Sequence, residues 1–276
     1  MFRVERPRGR AGPVLVEVPH AGIALPPEAR ALLTVGADAI RRDADAWVDA
    51  LYRGAPARGA TLLAAELSRY VVDLNRDEGD VDEWAVAGAR AEGAEHPRGV
   101  VWRETGDGRA ALRRPLTREE FEARLERYHR PYHRALAAEL ARLRGEHRDV
   151  VLVAAHSMPS TGKTARGDVV RRADVVPGTR GKTTAARAVI DAVEQHFRAA
   201  GLSVRHDDPY RGGATTARWG RPHEGFHAVQ IELNRALYMD EDDGDPRPER
   251  FDWLADVCAG LVDRLTALVD AGALRT

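Results

Sequence analysis

Two histidines stand where apolar runs of the sequence end, and their placement is the first sign of chemistry. His20 follows the apolar part of "PVLVEVPHAG", and His156 follows that of "VLVAAHSMPS". In open α/β sheets, ligands bind beyond the carboxyl ends of the strands, so both side chains are predicted to reach one site. A single histidine is more often a hydrogen-bonded structural group, but two at equivalent strand ends favour a shared role as metal ligands.

The third ligand of such a site is expected to be acidic. Catalytic zinc characteristically takes three protein ligands, and neutral imidazoles combined with a carboxylate suit it. The stretch "RRDADAWVDALY" offers Asp43, Asp45 and Asp49. For Asp43 and Asp49 we prefer the interpretation that they are acids complementing a helix dipole. Asp45 is therefore the preferred ligand.

A carboxylate within a predicted strand marks a candidate general base. In "HAVQIELNRALYMDE", Gln230 and Glu232 alternate with Val229, Ile231 and Leu233, which gives the period of a strand. A carboxylate among apolar neighbours is costly unless it is paired, bound to a metal or used as a base. Beside zinc, Glu232 could take a proton from the attacking water and pass it to a leaving nitrogen.

A substrate carboxylate would find partners in "SRYVVDLNRDEGD". Its alternation predicts a short strand over 70–74 that delivers Asn75 and Arg76 to one end. Guanidinium binds a carboxylate bidentately and stays charged when partly buried. Arginine supplies nearly all the positive charge of this chain, since the lysines are Lys163 and Lys182 alone, so a single arginine is weak evidence.

Three other patterns indicate no catalytic role. "STGKT" and "TRGKT" resemble a phosphate loop, but Ser157 and Val176 replace its leading glycine. His129 and His133 have the spacing of helix-borne metal ligands without the glutamate of that motif, so we interpret them as helix-surface histidines. Ser157 lies outside any nucleophile elbow.

The elements that must position these residues alternate between strand and helix. Strands are predicted over 13–19, 60–66, 70–74, 149–155 and 227–233, and helices over 37–53, from Thr117 onward, over 183–199 and over 250–270. This order predicts an α/β fold with a mostly parallel sheet. Thr117 and Glu120 form a capping box, and Pro131 should kink the helix that they begin. The long loops 77–115, 157–181 and 206–226 are expected to build the site.

Composition narrows the class of protein. The chain has 276 residues, a length at which one α/β domain over 1–276 is expected. Its 42 basic and 43 acidic residues give a net charge of -1, which argues against nucleic acid or an anionic membrane as the main partner. The lone Cys258 fits a reducing compartment, and no apolar run is long enough to cross a bilayer, so a cytoplasmic location is expected.

Together these motifs resemble the N-formylglutamate amidohydrolases, also called N-formylglutamate deformylases. The matching segments span about residues 14–241 in the order "VPHAG", "RDADAWVDALY", "SRYVVDLNR", "AAHSMPS", "DPYRGGATTARWGRP" and "HAVQIELNRALYMDE". The resemblance implies a three-layer α/β/α sandwich with a mostly parallel mixed sheet, similar to zinc carboxypeptidases and aspartoacylases. It also implies one zinc per chain and hydrolysis of an N-acyl amino acid.

The resemblance implies roles for individual residues. His20 and His156 match metal ligands, and Glu232 matches the general acid/base. Asn75 and Arg76 match the clamp on the substrate carboxylate, and Arg218 is the candidate for a second carboxylate. With Arg69, these are the predicted substrate-binding residues. The carboxypeptidase relatives bind zinc through His-x-x-Glu, whereas Ile23 stands at the glutamate position here. The third ligand therefore stays open, with Asp45 ahead of Glu66 or Asp43.

The function predicted from the sequence is zinc-dependent hydrolysis of N-formyl-L-glutamate, or of a close N-acyl amino acid, to the carboxylic acid and free amino acid. One alternative with the same chemistry is a carboxypeptidase or N-acyl aspartate hydrolase. Another is a metal-free binding protein for acidic amino acids. The expected partner is a small-molecule substrate, and the sequence indicates no oligomeric state.

Overall fold

The computed structural model describes residues 1–89, 98–163 and 166–274. Its strands are β1 (Phe2–Glu5), β2 (Val14–Val18), β3 (Thr61–Ala65), β4 (Val150–Met158), β5 (Thr161–Lys163), β6 (Val169–Arg171), β7 (Val175–Gly178) and β8 (Phe226–Asn234). Its α-helices are α1 (Pro27–Leu32), α2 (Ala37–Asp43), α3 (Val48–Leu51), α4 (Arg118–Arg124), α5 (Arg130–Glu146), α6 (Arg187–Ala199), α7 (Ala214–Trp219) and α8 (Pro248–Asp270). Short 3-10 helices cover Ala55–Arg58, Pro222–Glu224 and Arg235–Leu237.

A six-stranded sheet in the order β1-β3-β2-β4-β8-β7 carries the site. Strand β4 pairs in parallel with both β2 and β8, and β7 runs antiparallel to β8. Every residue of β2 and β4 is buried, as in parallel strands covered on both faces, and both strands are apolar apart from Glu17, His156 and Ser157. The predicted α/β fold with a mostly parallel mixed sheet is confirmed.

Four predicted strands coincide with β2, β3, β4 and β8 to within a few residues, but the fifth, over 70–74, was wrong. That segment is a buried series of turns without strand pairing. The Val71 carbonyl accepts a hydrogen bond from Arg124 at 2.9 Å, and the Asp73 N–H donates to the Val100 carbonyl at 2.9 Å. A side chain and a distant loop therefore satisfy its backbone, and its alternation reflects burial alone.

The helix predicted over 37–53 is interrupted. Helix α2 ends at Asp43, α3 begins at Val48, and Trp47 between them has a left-handed φ of 67°. The interruption allows the Asp45 N–H to donate to the His20 carbonyl at 2.9 Å. The broken helix thus brings Asp45 next to the end of β2.

The helix that begins after Thr117 has the predicted capping box. Its irregularity lies before Pro131, where Leu125–His129 form a π-helical turn closed by a hydrogen bond from the Arg130 N–H to the Leu125 carbonyl. Such turns are rare and occur often at functional sites. Here the turn places His129 in the interior.

Two of the predicted loops contain regular structure. The segment 157–181 includes β5, β6 and β7, and 206–226 includes α7. Helix α7 packs against β4 and β8, while α6 and α8 pack against each other. In the third predicted loop, 77–115, residues 90–97 lie outside the described residues.

The described chain forms two compact units. The first comprises Met1–Arg3, Pro19–Ala46 and Ala64–Ala138, and the second Val4–Val18, Trp47–Leu63 and Glu139–Thr276. A cluster of Leu33, Ile40, Tyr70, Trp102 and Ala111 forms part of the apolar core of the first. In the second, Cys258 is fully buried within α8. Among the described helices, none has the length and apolar character needed to cross a membrane.

Candidate metal and substrate site

His20 lies two residues beyond β2 and is buried. Its Nε2 is 2.7 Å from Asp73 Oδ1, and its Nδ1 is 3.5 Å from Asp45 Oδ2. A neutral imidazole that donates through Nε2–H has its lone pair on Nδ1. The ring is therefore oriented so that its Nδ1 can act as a ligand on the side of Asp45.

The residue that orients this ring, Asp73, was missed by the sequence reasoning. Its Oδ1 also accepts the Asn75 N–H at 2.9 Å, and its Oδ2 accepts the Trp102 Nε1–H at 2.9 Å. A carboxylate that accepts an imidazole N–H fixes the tautomer of a metal-binding histidine and raises its basicity. The available signal was a carboxylate two residues before Asn75 in an otherwise apolar stretch.

One group of residues in the described structure has the composition of a metal site. His20, Asp45 and His156 each offer one ligand atom, all three are buried, and the three atoms all lie within 4.8 Å of one another. Two imidazoles and one carboxylate form a donor set that suits a divalent transition metal with one open position. The residues selected from the sequence as metal ligands are thus brought together.

The two alternative third ligands have other roles. Asp43 Oδ2 accepts the Tyr70 hydroxyl and the Gly106 N–H, the latter at 2.9 Å. The Glu66 side chain is half exposed and lies 3.6 Å from the N-terminal ammonium group. Neither belongs to the metal-site group found among the described residues, whereas Asp45 does.

Loss of the Tyr70 hydroxyl that bonds Asp43 should affect stability, whereas loss of Asp45 should affect metal binding. Burial, followed by the hydrogen bond to Asp43, raises the pKa of the Tyr70 hydroxyl, so this group donates at all ordinary pH values. Tyr70→Phe leaves the buried Asp43 carboxylate with one donor fewer. We expect it to lower the free energy of unfolding by about 1–3 kcal/mol without changing metal content. Asp45→Ala should show the reverse pattern, with metal lost. Urea unfolding and metal analysis of both variants test this, and metal loss in Tyr70→Phe would contradict it.

Arg69, one of the predicted substrate-binding residues, lies beside His20. Its Nη2 contacts His20 Nδ1 and lies 3.8 Å from Asp45 Oδ1, and its Nε lies 3.9 Å from Asp73 Oδ2. Its Cζ is 4.8 Å from the centre of the Trp102 ring. Two carboxylates and an aromatic face stabilise a partly buried guanidinium, which stays charged there.

Asn75 and Arg76 follow Asp73 at the end of the buried turn. Asn75 is buried, while about a third of the Arg76 side chain is exposed, with its Nε 3.8 Å from Asp80 Oδ2. The Arg76 carbonyl accepts a hydrogen bond from His129 Nε2 at 2.9 Å. A hydrogen bond from His129 thus holds this turn, and the partly exposed guanidinium of Arg76 can bind an anionic ligand.

The prediction that His129 lies on a helix surface was wrong. The residue is only 3% exposed, because the π-helical turn directs it inward beneath Arg76. Burial lowers its pKa, so the imidazole is neutral and donates through Nε2. Its role in this structure is to support the Asn75 and Arg76 turn.

His156 and Glu232 lie on neighbouring strands at the same level. In the parallel pairing of β4 with β8, His156 stands opposite Glu232. Residues opposite each other in a sheet share a face, and both are buried. The sheet register thus places the predicted base and a predicted metal ligand side by side.

Glu232 has a polar neighbour on its own strand. Gln230 Nε2 donates to Glu232 Oε1 at 2.8 Å, and Gln230 Oε1 accepts the Gly213 N–H at 2.8 Å. Gly213 is the N-cap residue of α7. Helix α7 also carries Arg218, which is exposed with its Cζ 5.7 Å from the centre of the Trp219 ring.

Comparison with known proteins identifies the family. The model of the N-formylglutamate amidohydrolase family matches residues 12–239. This chain belongs to that family. It is 35% identical over 237 residues to the N-formylglutamate deformylase of Pseudomonas aeruginosa, covering 85% of this chain and 84% of that protein. It is 32% identical over 238 residues to the N-formylglutamate deformylase of Pseudomonas putida, covering 83% and 82%.

A solved structure agrees with this assignment over nearly the whole chain. The crystal structure of N-formylglutamate amidohydrolase from Ralstonia eutropha JMP134 matches with a TM-score of 0.89 and 31% identity, covering 98% of this chain and 99% of that one. The resemblance seen in the sequence motifs is confirmed. As a member of an amidohydrolase family, the protein is an enzyme that acts on an amide bond.

Proposed function

We propose that this amidohydrolase cleaves N-formyl-L-glutamate to formate and L-glutamate, using one zinc ion per chain held by His20, Asp45 and His156. The observation that carries the proposal is the buried His-Asp-His group in a chain of this family. Its two relatives in Pseudomonas are named for the same deformylation. We also propose that residues 1–276 form one catalytic domain that works in the cytoplasm.

The donor set supports zinc. Two histidines and one carboxylate are a common ligand set of catalytic zinc sites, and Asp73 supplies the carboxylate that such a histidine usually meets on its far nitrogen. When bound, the metal would polarise the amide carbonyl and lower the pKa of a water molecule.

Glu232 is the proposed general base and acid. It would accept a proton from the water that attacks the formyl carbon and then deliver that proton to the amide nitrogen as the C–N bond breaks. Water thus supplies the hydroxyl of formate and one hydrogen of the glutamate amine. The burial of Glu232 and its place opposite His156 support this role.

Arginines and an amide are proposed to hold the substrate. Asn75 and Arg76 would take the α-carboxylate, with Arg69 contacting the substrate next to His20. Arg218 on α7 would take the side-chain carboxylate. A formyl group offers almost no apolar surface, so ground-state affinity must come from these charged contacts.

A substrate panel tests the proposed reaction. Zinc-loaded protein is assayed with N-formylglutamate, N-formylglutamine, N-acetylglutamate, N-acetylaspartate and a peptide with a C-terminal glutamate. N-formylglutamate is expected to have the highest kcat/KM. A faster reaction with the peptide or with N-acetylaspartate would replace the proposal by a carboxypeptidase or an N-acyl aspartate hydrolase, and turnover of none would favour a binding protein.

Arg76→Ala should lower kcat/KM by more than ~30-fold. Losing one half of a desolvated, charge-assisted pair costs about 2–5 kcal/mol. Steady-state kinetics with N-formylglutamate measure the loss. Arg134→Ala, which removes an exposed arginine from α5, serves as the control and should leave kcat/KM within about 2-fold of the wild-type value.

Arg218 is tested with a substrate that lacks the second charge. N-formylglutamine keeps the size of N-formylglutamate, so it should be a poor substrate for the wild type. The kcat/KM for N-formylglutamine should fall little further in Arg218→Ala, whereas the kcat/KM for N-formylglutamate should fall much more in that variant. Equal hydrolysis of both substrates by the wild type would reject the proposed contact of Arg218 with the side-chain carboxylate. The assignment of glutamate as the product would fall with it, but the hydrolase assignment would stand.

A further inference from the structure

We infer that Gln230 is a positioning residue for Glu232: it holds the carboxylate of the base and ties it to the glycine turn before α7. The inference rests on the proposed function, in which Glu232 moves the proton. It adds a residue that acts on the reaction without contacting the substrate.

The chemistry of the two hydrogen bonds fixes the orientation of the Gln230 amide. A backbone N–H can only donate, so the Gly213 N–H at 2.8 Å requires Gln230 Oε1 as its acceptor. Nε2 is then directed at Glu232 Oε1, 2.8 Å away, and donates a hydrogen bond to that oxygen. The two bonds select one amide orientation and one placement of the Glu232 oxygen.

The position of Gln230 in β8 explains why an amide is needed. Gln230 and Glu232 are two residues apart on the strand, so they share a face, and both are buried. A buried polar side chain is costly unless its hydrogen bonds are made. Both polar ends of this amide are used, one toward the base and one toward the turn, and an apolar side chain of the same shape would make neither bond.

The turn that Gln230 holds is itself tightly constrained. Gly212 has a φ of 103°, which other residues rarely adopt, and a Cβ there would lie 3.0 Å from Thr216 Cγ2. Gly213 then caps α7, whose first amides have no partner within the helix. Because α7 carries Arg218, the Gly213, Gln230 and Glu232 series connects the proposed side-chain recognition element to the proposed base.

The first experiment replaces Gln230 by methionine, which keeps its length but makes neither bond. We expect kcat to fall at least ~10-fold with KM changed little, because a base displaced by a fraction of an ångström loses alignment in the transition state more than ground-state affinity. The matched control is Gln195→Met, at the chain's only other glutamine, which loses an exposed bond to Arg264. Zinc content and Tm are measured on both variants.

A second variant keeps the bond to the glycine turn. Gln230→Glu retains an acceptor for the Gly213 N–H but replaces the donor to Glu232 by a second carboxylate that repels it. It should lose at least as much kcat as Gln230→Met. Wild-type kcat in Gln230→Glu would overturn the inference, since the bond to Glu232 would then have no function.

A double-mutant cycle separates positioning from a general structural role. In the Glu232→Gln background the base is already gone, so adding Gln230→Met should cost no more than about 2-fold. The same loss in both backgrounds would mean that Gln230 acts independently of Glu232, and the inference would fail. A wild type inactive on every substrate of the panel would instead reject the proposed function, so the two failures are distinguishable.

Discussion

Replacing Glu232 by glutamine is expected to lower kcat by at least ~100-fold while zinc stays bound. Glutamine keeps the volume of the side chain, and its amide oxygen can still accept the hydrogen bond that Gln230 donates at 2.8 Å. It cannot take a proton from water. The variant therefore removes the proton transfer and leaves the buried polar network in place. Steady-state kinetics and metal analysis on the same preparation measure both effects.

The control for this prediction is Glu66→Gln. Glu66 was an alternative third ligand from the sequence, but its half-exposed side chain pairs with the N-terminus. Its kcat and zinc content should stay within about 2-fold of the wild-type values, as for other surface substitutions. Near-normal turnover by Glu232→Gln with zinc retained would show that another group carries the proton.

The residues at strand ends could be predicted from the sequence. The runs before His20 and His156 are apolar except for Glu17 in the first, and β2 and β4 are buried along their whole length. Glu232 could be predicted for a related reason, because polar and apolar residues alternate around it within β8. These signals are local to each strand. The parallel register of β4 and β8 then places His156 opposite Glu232.

The supporting residues could not be predicted because their partners are distant in sequence. Asp73 orients His20 across 53 residues, and Gln230 holds Gly213 across 17. The segment 70–74 alternates like a strand, yet Arg124 and the Val100 carbonyl satisfy its backbone, and neither contact has a sequence signature. His129 was misplaced because a π-helical turn changes which side of the helix is buried.

Asp45 is an intermediate case. The sequence indicated an acidic ligand in "RDADAW" but predicted one continuous helix, in which the choice among three aspartates rested on helix-dipole arguments. The left-handed Trp47 ends that helix and allows Asp45 to bond the His20 backbone. Backbone geometry thus distinguishes Asp45 from Asp43, which Tyr70 and Gly106 engage.

Alanine at His20 or at His156 is expected to remove most of the zinc and to reduce turnover to near the background rate. The wild-type protein should hold about one zinc per chain. A site with three protein ligands loses much of its affinity when one is removed, and catalysis that depends on the metal is lost with it. The exposed His223 provides the matched control, because His223→Ala removes an imidazole that is 77% exposed and should change neither zinc content nor kcat.

Asp73→Asn extends this test from the ligand to the group that orients it. Asparagine retains an oxygen that can accept the His20 Nε2–H, but it loses the negative charge that raises the basicity of the ring. Changes of this kind typically cost about 10–100-fold in metal affinity or activity. Zinc affinity should therefore rank wild type above Asp73→Asn and Asp73→Asn above His20→Ala, as measured by competition with a chelator of known affinity. Full zinc occupancy in both histidine variants would reject the ligand assignment. Wild-type zinc affinity in Asp73→Asn, with zinc lost in His20→Ala, would support the ligand assignment but show that the Asp73 charge does not contribute to metal binding.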